Sequence, residues 1–222
     1  MDRRTITQEY LILATNEKGR MSLINGTEAK AGIAAAGVMD LILASVIKIE
    51  NKRVEVVGDL PEELAFLHSL YGYLQEKGRS VTKVIEAFSM SLTDARLKPL
   101  IADIEKSLIE TGAVREEKGG LLGNKNIFIP SEEWKETLIG SLKSEVMQKE
   151  TFSLHDIVLV SLLWETKNLK QYFSKHETGI IREKLKAARE NPDSRIVKEM
   201  IRYVGEVMAA MDAAAAVAVA VN

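Results

Sequence analysis

TEAKAGIAAAGVMDLILA, residues 27–44, is the stretch of sequence that decides the fold. Apolar side chains cover almost every side of the helix that it would form, and a helix that is apolar all round is buried in a protein core. Gly32 and the small residues at 35–37 would let neighbouring elements approach closely. We therefore predict that this segment, with Thr27 as its N-cap, is the central helix of the structure.

Apolar residues also recur at helical spacing through the rest of the chain. Further helices are predicted over residues 7–15, 61–77, 80–90, 95–111, 131–148, 153–172, 178–190 and 194–220. Thr7 is the expected cap of the first, and Gly112 is expected to end the helix 95–111. The run 207–221 is mainly alanine and shorter than the roughly 20 residues of a spanning helix, so we interpret it as part of a core helix.

Two segments predict β-hairpins. The β-branched residues 46–49 and 53–57 are separated by only three residues. A second pair, residues 113–117 and 126–130, flanks the tip KGGLLGNK, whose glycines favour a turn. The sequence thus predicts a mainly α fold, in which a single helical domain over residues 1–222 surrounds a buried central helix and carries two small β-hairpins.

Composition and motifs exclude several classes of function. With 30 Lys and Arg against 32 Asp and Glu, the chain has no general attraction for nucleic acid or anionic membranes. The absence of cysteine excludes disulfides and thiolate metal sites and fits a reducing cytoplasm. No phosphate loop, dinucleotide signature or nucleophile elbow is present. The three histidines, His68, His155 and His176, lie far apart and are interpreted as surface or capping residues. We expect neither an enzyme, a metal site nor a cofactor.

The tip of the second hairpin is the candidate contact site. Leu121 and Leu122 stand between glycines, with Lys118 and Lys125 on either side. Leucines at an exposed tip are expected to be buried against a membrane, a partner or a second copy of the chain. Burial of both contributes about 3–6 kcal/mol, which suits reversible docking. The alternative is that the tip folds back onto its own domain.

Two further hypotheses concern anionic partners. A helix at 95–111 followed by a hairpin has the order of a winged helix, but Arg96, Lys98 and Lys106 are balanced by acidic residues on the same helix. Phosphate contacts require a basic footprint, so nucleic acid is not an expected partner. The most basic stretch, residues 167–189, is diluted by glutamates and is interpreted as a solvated face, with an anionic lipid surface as the alternative.

Several stretches, taken in order along nearly the whole chain, resemble the Golgi phosphoprotein 3 (GPP34) family. They are TQEYLILATNEKGR (7–20), AGIAAAGVMDLILASVIKIE (31–50), LIADIEKSLIETGAVREEK (100–118) and VGEVMAAMDAAAAVAVAV (204–221). The resemblance implies a helical fold around a buried central helix and a peripheral role at the cytoplasmic face of a membrane. Eukaryotic members bind phosphatidylinositol 4-phosphate, recruit glycosyltransferases and carry a projecting apolar hairpin, which the tip leucines match.

The resemblance also implies where the family binds the lipid headgroup. A tryptophan and three arginines form that pocket, and this chain has Ile24 or Asn25, Ala34, Lys98 and Ile101 at the matching positions. One cation cannot reproduce a multidentate phosphate grip, although Lys98 remains a possible headgroup contact. These departures and the short loops suggest a bacterial or otherwise reduced member.

The sequence therefore predicts a non-enzymatic, peripheral lipid-binding protein, whose partner is an anionic phospholipid surface contacted by the hairpin tip. The first alternative is a protein-interaction module that self-associates through residues 113–130. The second is a winged-helix-like nucleic-acid binder.

Overall fold

The computed structural model describes residues 4–19, 21, 26–91, 93–119, 125–148, 153–190, 203, 205–213 and 216. Its helices are α1 (Ile6–Ala14), α2 (Gly26–Leu43), α3 (His68–Gln75), α4 (Val81–Ser89), α5 (Leu97–Glu110), α6 (Glu132–Gln148), α7 (Leu154–Glu165), α8 (Lys175–Glu190) and α9 (205–213). Short 3-10 helices span Glu62–Leu67 and Leu169–Gln171. The strands are β1 (Ile47–Glu50), β2 (Arg53–Val56), β3 (Arg79–Ser80), β4 (Val114–Gly119) and β5 (Lys125–Pro130). The predicted mainly α fold with two small hairpins is confirmed.

Helix α2 is the centre of the core, as the sequence predicts. It packs against α1, α4, α5 and α7, and every residue from Ile33 to Asp40 is buried. A Cβ atom on Gly32 would lie 2.1 Å from the Tyr10 hydroxyl oxygen, and one on Gly37 would lie 2.7 Å from Leu70. These two glycines therefore let α1 and α3 pack directly on the backbone of α2.

Helix α1 is joined to α2 by a buried carboxylate. Asp40 accepts hydrogen bonds from the Ile6 and Thr7 backbone N–H groups at 2.9 and 2.8 Å, and from the Thr7 hydroxyl at 2.6 Å. These N–H groups belong to the first turn of α1, where no intrahelical partner exists. Burial raises the pKa of Asp40, and the hydrogen bonds from Thr7 and Ile6 oppose that shift. The side chain of Asp40 thus caps α1 from the last turn of α2.

Both predicted threonine caps are wrong. Thr5 caps α1 through a reciprocal pair of hydrogen bonds with Gln8, because Thr7 lies one residue inside the helix and its hydroxyl is bonded to Asp40. Helix α2 begins at Gly26, so Thr27 lies within the helix rather than before it.

The two predicted hairpins are present, and the first gains a strand. Antiparallel β1 and β2 pair from Ile47–Val56 to Glu50–Arg53, and β3 pairs with the other edge of β2. The sequence indicates only a helix break at this third strand, because two residues are too few to show an alternating pattern. Strands β4 and β5 pair in register from Val114–Pro130 to Gly119–Lys125.

Three predicted helices have different bounds. The first turns of the predicted helix 61–77 are a 3-10 helix. The predicted helix 153–172 ends at Glu165, because Lys167 adopts a positive φ of 60° that breaks the helix. Helix α8 begins before residue 178, at Lys175, where Ser174 and Glu177 exchange capping hydrogen bonds.

The carboxy-terminal helix packs into the core where it is described. Val207, Met208, Ala210 and Met211 are buried, whereas most of the rest of the predicted segment 194–220 lies outside the described residues. No helix in the described part of the chain is both long and apolar enough to cross a membrane.

Replacement of Asp40 should destabilise the fold. We expect Asp40→Ala to lower the free energy of unfolding by about 2–4 kcal/mol, because it leaves two backbone N–H groups of α1 buried without an acceptor. Urea denaturation followed by circular dichroism measures the change. The exposed Asp59→Ala is the matched control and should stay within about 0.5 kcal/mol of wild type; equal midpoints for the two variants would contradict the assignment.

Candidate functional site

The hairpin formed by β4 and β5 is anchored at its base. Val114 and Pro130, which form the first pair of the ladder, are both buried. Ile127 and Phe128 of β5 pack against Gly19, in the turn after α1. A Cβ on Gly19 would lie 2.2 Å from the Ile127 side chain and 2.7 Å from the Phe128 carbonyl oxygen. The turn after α1 therefore supports β5 through a glycine that also needs its positive φ of 64°.

The far end of the hairpin carries the two predicted lysines. Lys118 is exposed, and its ammonium group donates to the Asn126 side-chain oxygen at 2.6 Å. Lys125 forms the last pair of the ladder with Gly119, and its side chain lies outside the described residues. In the register of the two strands, Lys118 is in the second-to-last residue pair and Lys125 is in the last pair. Both lysines are therefore next to the tip of the hairpin.

Leu121 and Leu122 fall between the two strand ends. They belong to residues 120–124, which lie outside the described part of the chain. Their role as the contact residues therefore stays a prediction.

Lys98 belongs to a different element from the hairpin lysines. It is exposed in the first turn of α5, and its ammonium group donates to the Thr93 carbonyl oxygen at 2.9 Å. The hairpin follows the last turn of α5, so about 18 Å of helix separates Lys98 from the start of β4. Lys98 and the start of the hairpin are therefore at opposite ends of α5.

The positions that match the family's headgroup pocket offer few cations. Ala34 is fully buried in the core, and the half-buried Ile101 packs against the core. Ile24 and Asn25 lie outside the described residues. One turn before Ala34, Lys30 is paired with both carboxylate oxygens of Asp94, at 2.9 and 2.8 Å.

The prediction for His155 is wrong. Its Nε2 atom lies 2.6 Å from a carboxylate oxygen of Glu9, and the two side chains are 17% and 7% exposed. A glutamate on the wholly buried helix α1 needs a polar partner, but the sequence does not show that the partner is 146 residues away. His68 and His176 are exposed, as predicted.

The structure brings together a second group of cations, which the sequence patterns do not indicate as a site. Five cationic side chains line a cavity of about 530 Å³, together with Tyr73, Gly78 and Ser80. They are Arg53, Lys77, Arg79, Lys83 and Arg96. We call this cavity the basic pocket. Three of its cations are close in sequence, at 77–83, but β2 and the start of α5 supply the other two. In contrast, the cavity beside Arg182 and Lys186, in the stretch that composition marks as most basic, is also lined by three glutamates.

The family model for Golgi phosphoprotein 3 (GPP34) matches residues 6–204 of the chain. The match begins at the first residue of α1 and includes α2, both hairpins and α8. No curated protein matches the chain.

Glu105 on α5 should make stability depend on pH. Burial raises its pKa from 4.5 to about 7, so the folded chain holds this proton more tightly than the unfolded chain does. The free energy of unfolding should therefore fall as pH rises from about 4.5 to 7 and then level off. Glu105→Gln should remove this fall and be about 1 kcal/mol more stable than wild type at pH 8, after allowance for solvent screening.

Urea denaturation at pH 5, 6, 7 and 8 tests the pH dependence. Glu110→Gln, an exposed change on the same helix, is the control and should keep the wild-type profile. A Glu105→Gln profile parallel to that of wild type would show that this carboxyl does not cause the fall.

Proposed function

The chain belongs to the Golgi phosphoprotein 3 family, and from that membership we propose that it is a non-catalytic protein that docks reversibly on the cytoplasmic face of a membrane. The hairpin of β4 and β5 is the contact element in this proposal. The observation that carries it is the anchored ladder, which starts from buried Val114 and Pro130 and ends beside Lys118 and Lys125. A rigid base lets a short apolar tip enter a surface without reordering the rest of the protein.

The energies suit transient binding. Full burial of Leu121 and Leu122 contributes about 1.5–3 kcal/mol each. A lysine near an anionic leaflet adds about 1 kcal/mol, and salt weakens this term. Immobilisation of the protein opposes both contributions. The sum permits reversible docking, whereas stable anchoring takes two strong signals.

General negative charge, rather than one headgroup, is the proposed lipid requirement. At the positions of the family's phosphate-binding arginines this chain has buried Ala34, Ile101 and a single cation, Lys98. Lys30, one turn before Ala34, is already paired with the carboxylate of Asp94, which neutralises its charge. We therefore propose that phosphatidylserine and phosphatidylinositol 4-phosphate promote docking in proportion to their charge.

The tip leucines provide the first test of docking. We expect Leu121→Asp with Leu122→Asp to abolish co-sedimentation with phosphatidylcholine–phosphatidylserine vesicles, because the apolar contribution is replaced by two charges that the leaflet repels. The matched control is Val57→Asp with Met147→Asp, which changes two exposed apolar residues elsewhere and should leave more binding.

The outcomes separate three readings. Failure of wild type to bind any anionic vesicle would overturn the membrane proposal. Binding only to vesicles with phosphatidylinositol 4-phosphate would contradict docking by general charge. A wild-type mass that rises with concentration in light scattering, and that falls in the tip variant without any vesicle binding, would replace the proposal by self-association through residues 113–130.

The hairpin lysines provide an independent test. Lys118→Gln with Lys125→Gln should weaken binding to the anionic vesicles by about 30-fold, which corresponds to two lysines at about 1 kcal/mol each. Lys106→Gln with Lys170→Gln removes the same charge from exposed positions on α5 and the second 3-10 helix and should weaken binding far less. Equal losses in the two variants would show that only net charge matters.

A further inference from the structure

The basic pocket gathers side chains from distant parts of the chain. Arg53 comes from β2, Lys77 from the loop before β3, Lys83 from α4 and Arg96 from the residue before α5. Arg79 of β3 completes the set. Of the described residues that line the cavity, five are cationic and none is acidic.

Hydrogen bonds and ring contacts hold the Arg79 and Arg96 side chains in place at the cavity. Arg79 is buried, and its guanidinium donates to the Tyr73 and Lys77 carbonyl oxygens and to the Glu76 carboxylate. It also lies over the Tyr73 ring, 3.7 Å from the centroid, and Arg96 lies 5.0 Å from the same centroid. Cation–π contacts of this kind favour fixed guanidinium positions.

Two further lining elements are held by hydrogen bonds. The Arg53 guanidinium donates to the Gly78 carbonyl oxygen at 3.1 Å. Ser80 caps α4 by accepting from the Lys83 backbone N–H, so the positive end of the α4 dipole is at the cavity. Arg53, Lys77, Lys83 and Arg96 are all exposed enough to reach a ligand from solvent.

This arrangement concentrates positive charge beyond what the protein itself neutralises. Like charges repel, and an anion placed among several cations relieves that repulsion. Among the contacts of the described lining residues, the Glu76 carboxylate is the one acidic group, and it binds Arg79 from an exposed position. The overall charge of −2 makes the local excess more informative, since it is not a consequence of a basic chain.

We propose that the basic pocket binds the phosphate group of a phosphorylated small molecule or lipid headgroup. Guanidinium groups match phosphate oxygens in pairs, and lysines add charge from flexible stems. The cavity is larger than a phosphate ion, which leaves room for the group that carries the phosphate. None of its lining residues is at the positions of the family's headgroup pocket, Ala34, Lys98 and Ile101, and the proposal does not depend on membrane docking by the hairpin.

Calorimetric titration with sodium pyrophosphate at low salt tests the pocket directly. Wild type should bind saturably, and Lys77→Gln with Lys83→Gln should bind at least about tenfold more weakly, a change of about 1.4 kcal/mol. Both lysines are exposed, so the variant should fold, and its thermal melt checks this. Lys106→Gln with Lys170→Gln is the charge-matched control and should bind like wild type.

Vesicles distinguish a lipid source from a soluble one. If the ligand is a headgroup, Lys77→Gln with Lys83→Gln should weaken binding to phosphatidylinositol 4-phosphate vesicles and spare binding to phosphatidylserine vesicles. If the ligand is a soluble molecule, Lys77→Gln with Lys83→Gln should weaken pyrophosphate binding and leave binding to both kinds of vesicle unchanged. No wild-type binding to either probe, or an equal loss in the control variant, would overturn the proposal. Leu121→Asp with Leu122→Asp should leave pyrophosphate binding intact, so failure of hairpin docking and failure of the pocket give different results.

Discussion

The hydrogen bonds from the first turn of α1 to Asp40 are the constraint on which the rest of the structure depends. They place a carboxylate in the buried, mainly apolar part of α2, and they fix both the position and the direction of α1 on α2. Gly32 then admits Tyr10 against the α2 backbone. Because a buried acceptor without donors is costly, this pairing specifies one packing of α1 rather than several similar hydrophobic ones.

The position of α1 determines in turn where the candidate contact element lies. Glu9 of α1 pairs with His155 of α7, and the Leu13 carbonyl oxygen accepts from the Tyr172 hydroxyl at 2.5 Å. These contacts fix the carboxy-terminal end of α1, and the turn that follows it presents Gly19 to β5. The polar contacts that position α1, beginning at Asp40, therefore also position the turn on which β5 packs.

Local patterns predicted the elements better than they predicted the contacts between them. The all-round apolar character of α2, the glycines of the second hairpin and the positive φ of Gly112 can be inferred from short windows. That Thr5, rather than Thr7, caps α1 cannot be inferred in this way, because it depends on the tertiary contact between the Thr7 hydroxyl and Asp40. The Glu9–His155 pair and the basic pocket require tertiary structure, since their members are separated by 146 residues in one case and distributed over residues 53–96 in the other.

The short segment before α5 distinguishes the basic pocket, where we propose that a phosphate binds, from the position of the family's headgroup pocket. Asp94, with a positive φ of 52°, pairs its carboxylate with Lys30 and so neutralises that cation on this side of α2. Two residues later, Arg96 extends over the Tyr73 ring and joins the cations around β3. Lys98 instead donates to the Thr93 carbonyl oxygen. One turn of chain thus pairs Asp94 with Lys30 on one side and directs Arg96 to the cations around β3 on the other, so the distribution of charge, rather than the total, is the basis on which we propose the basic pocket for a phosphate.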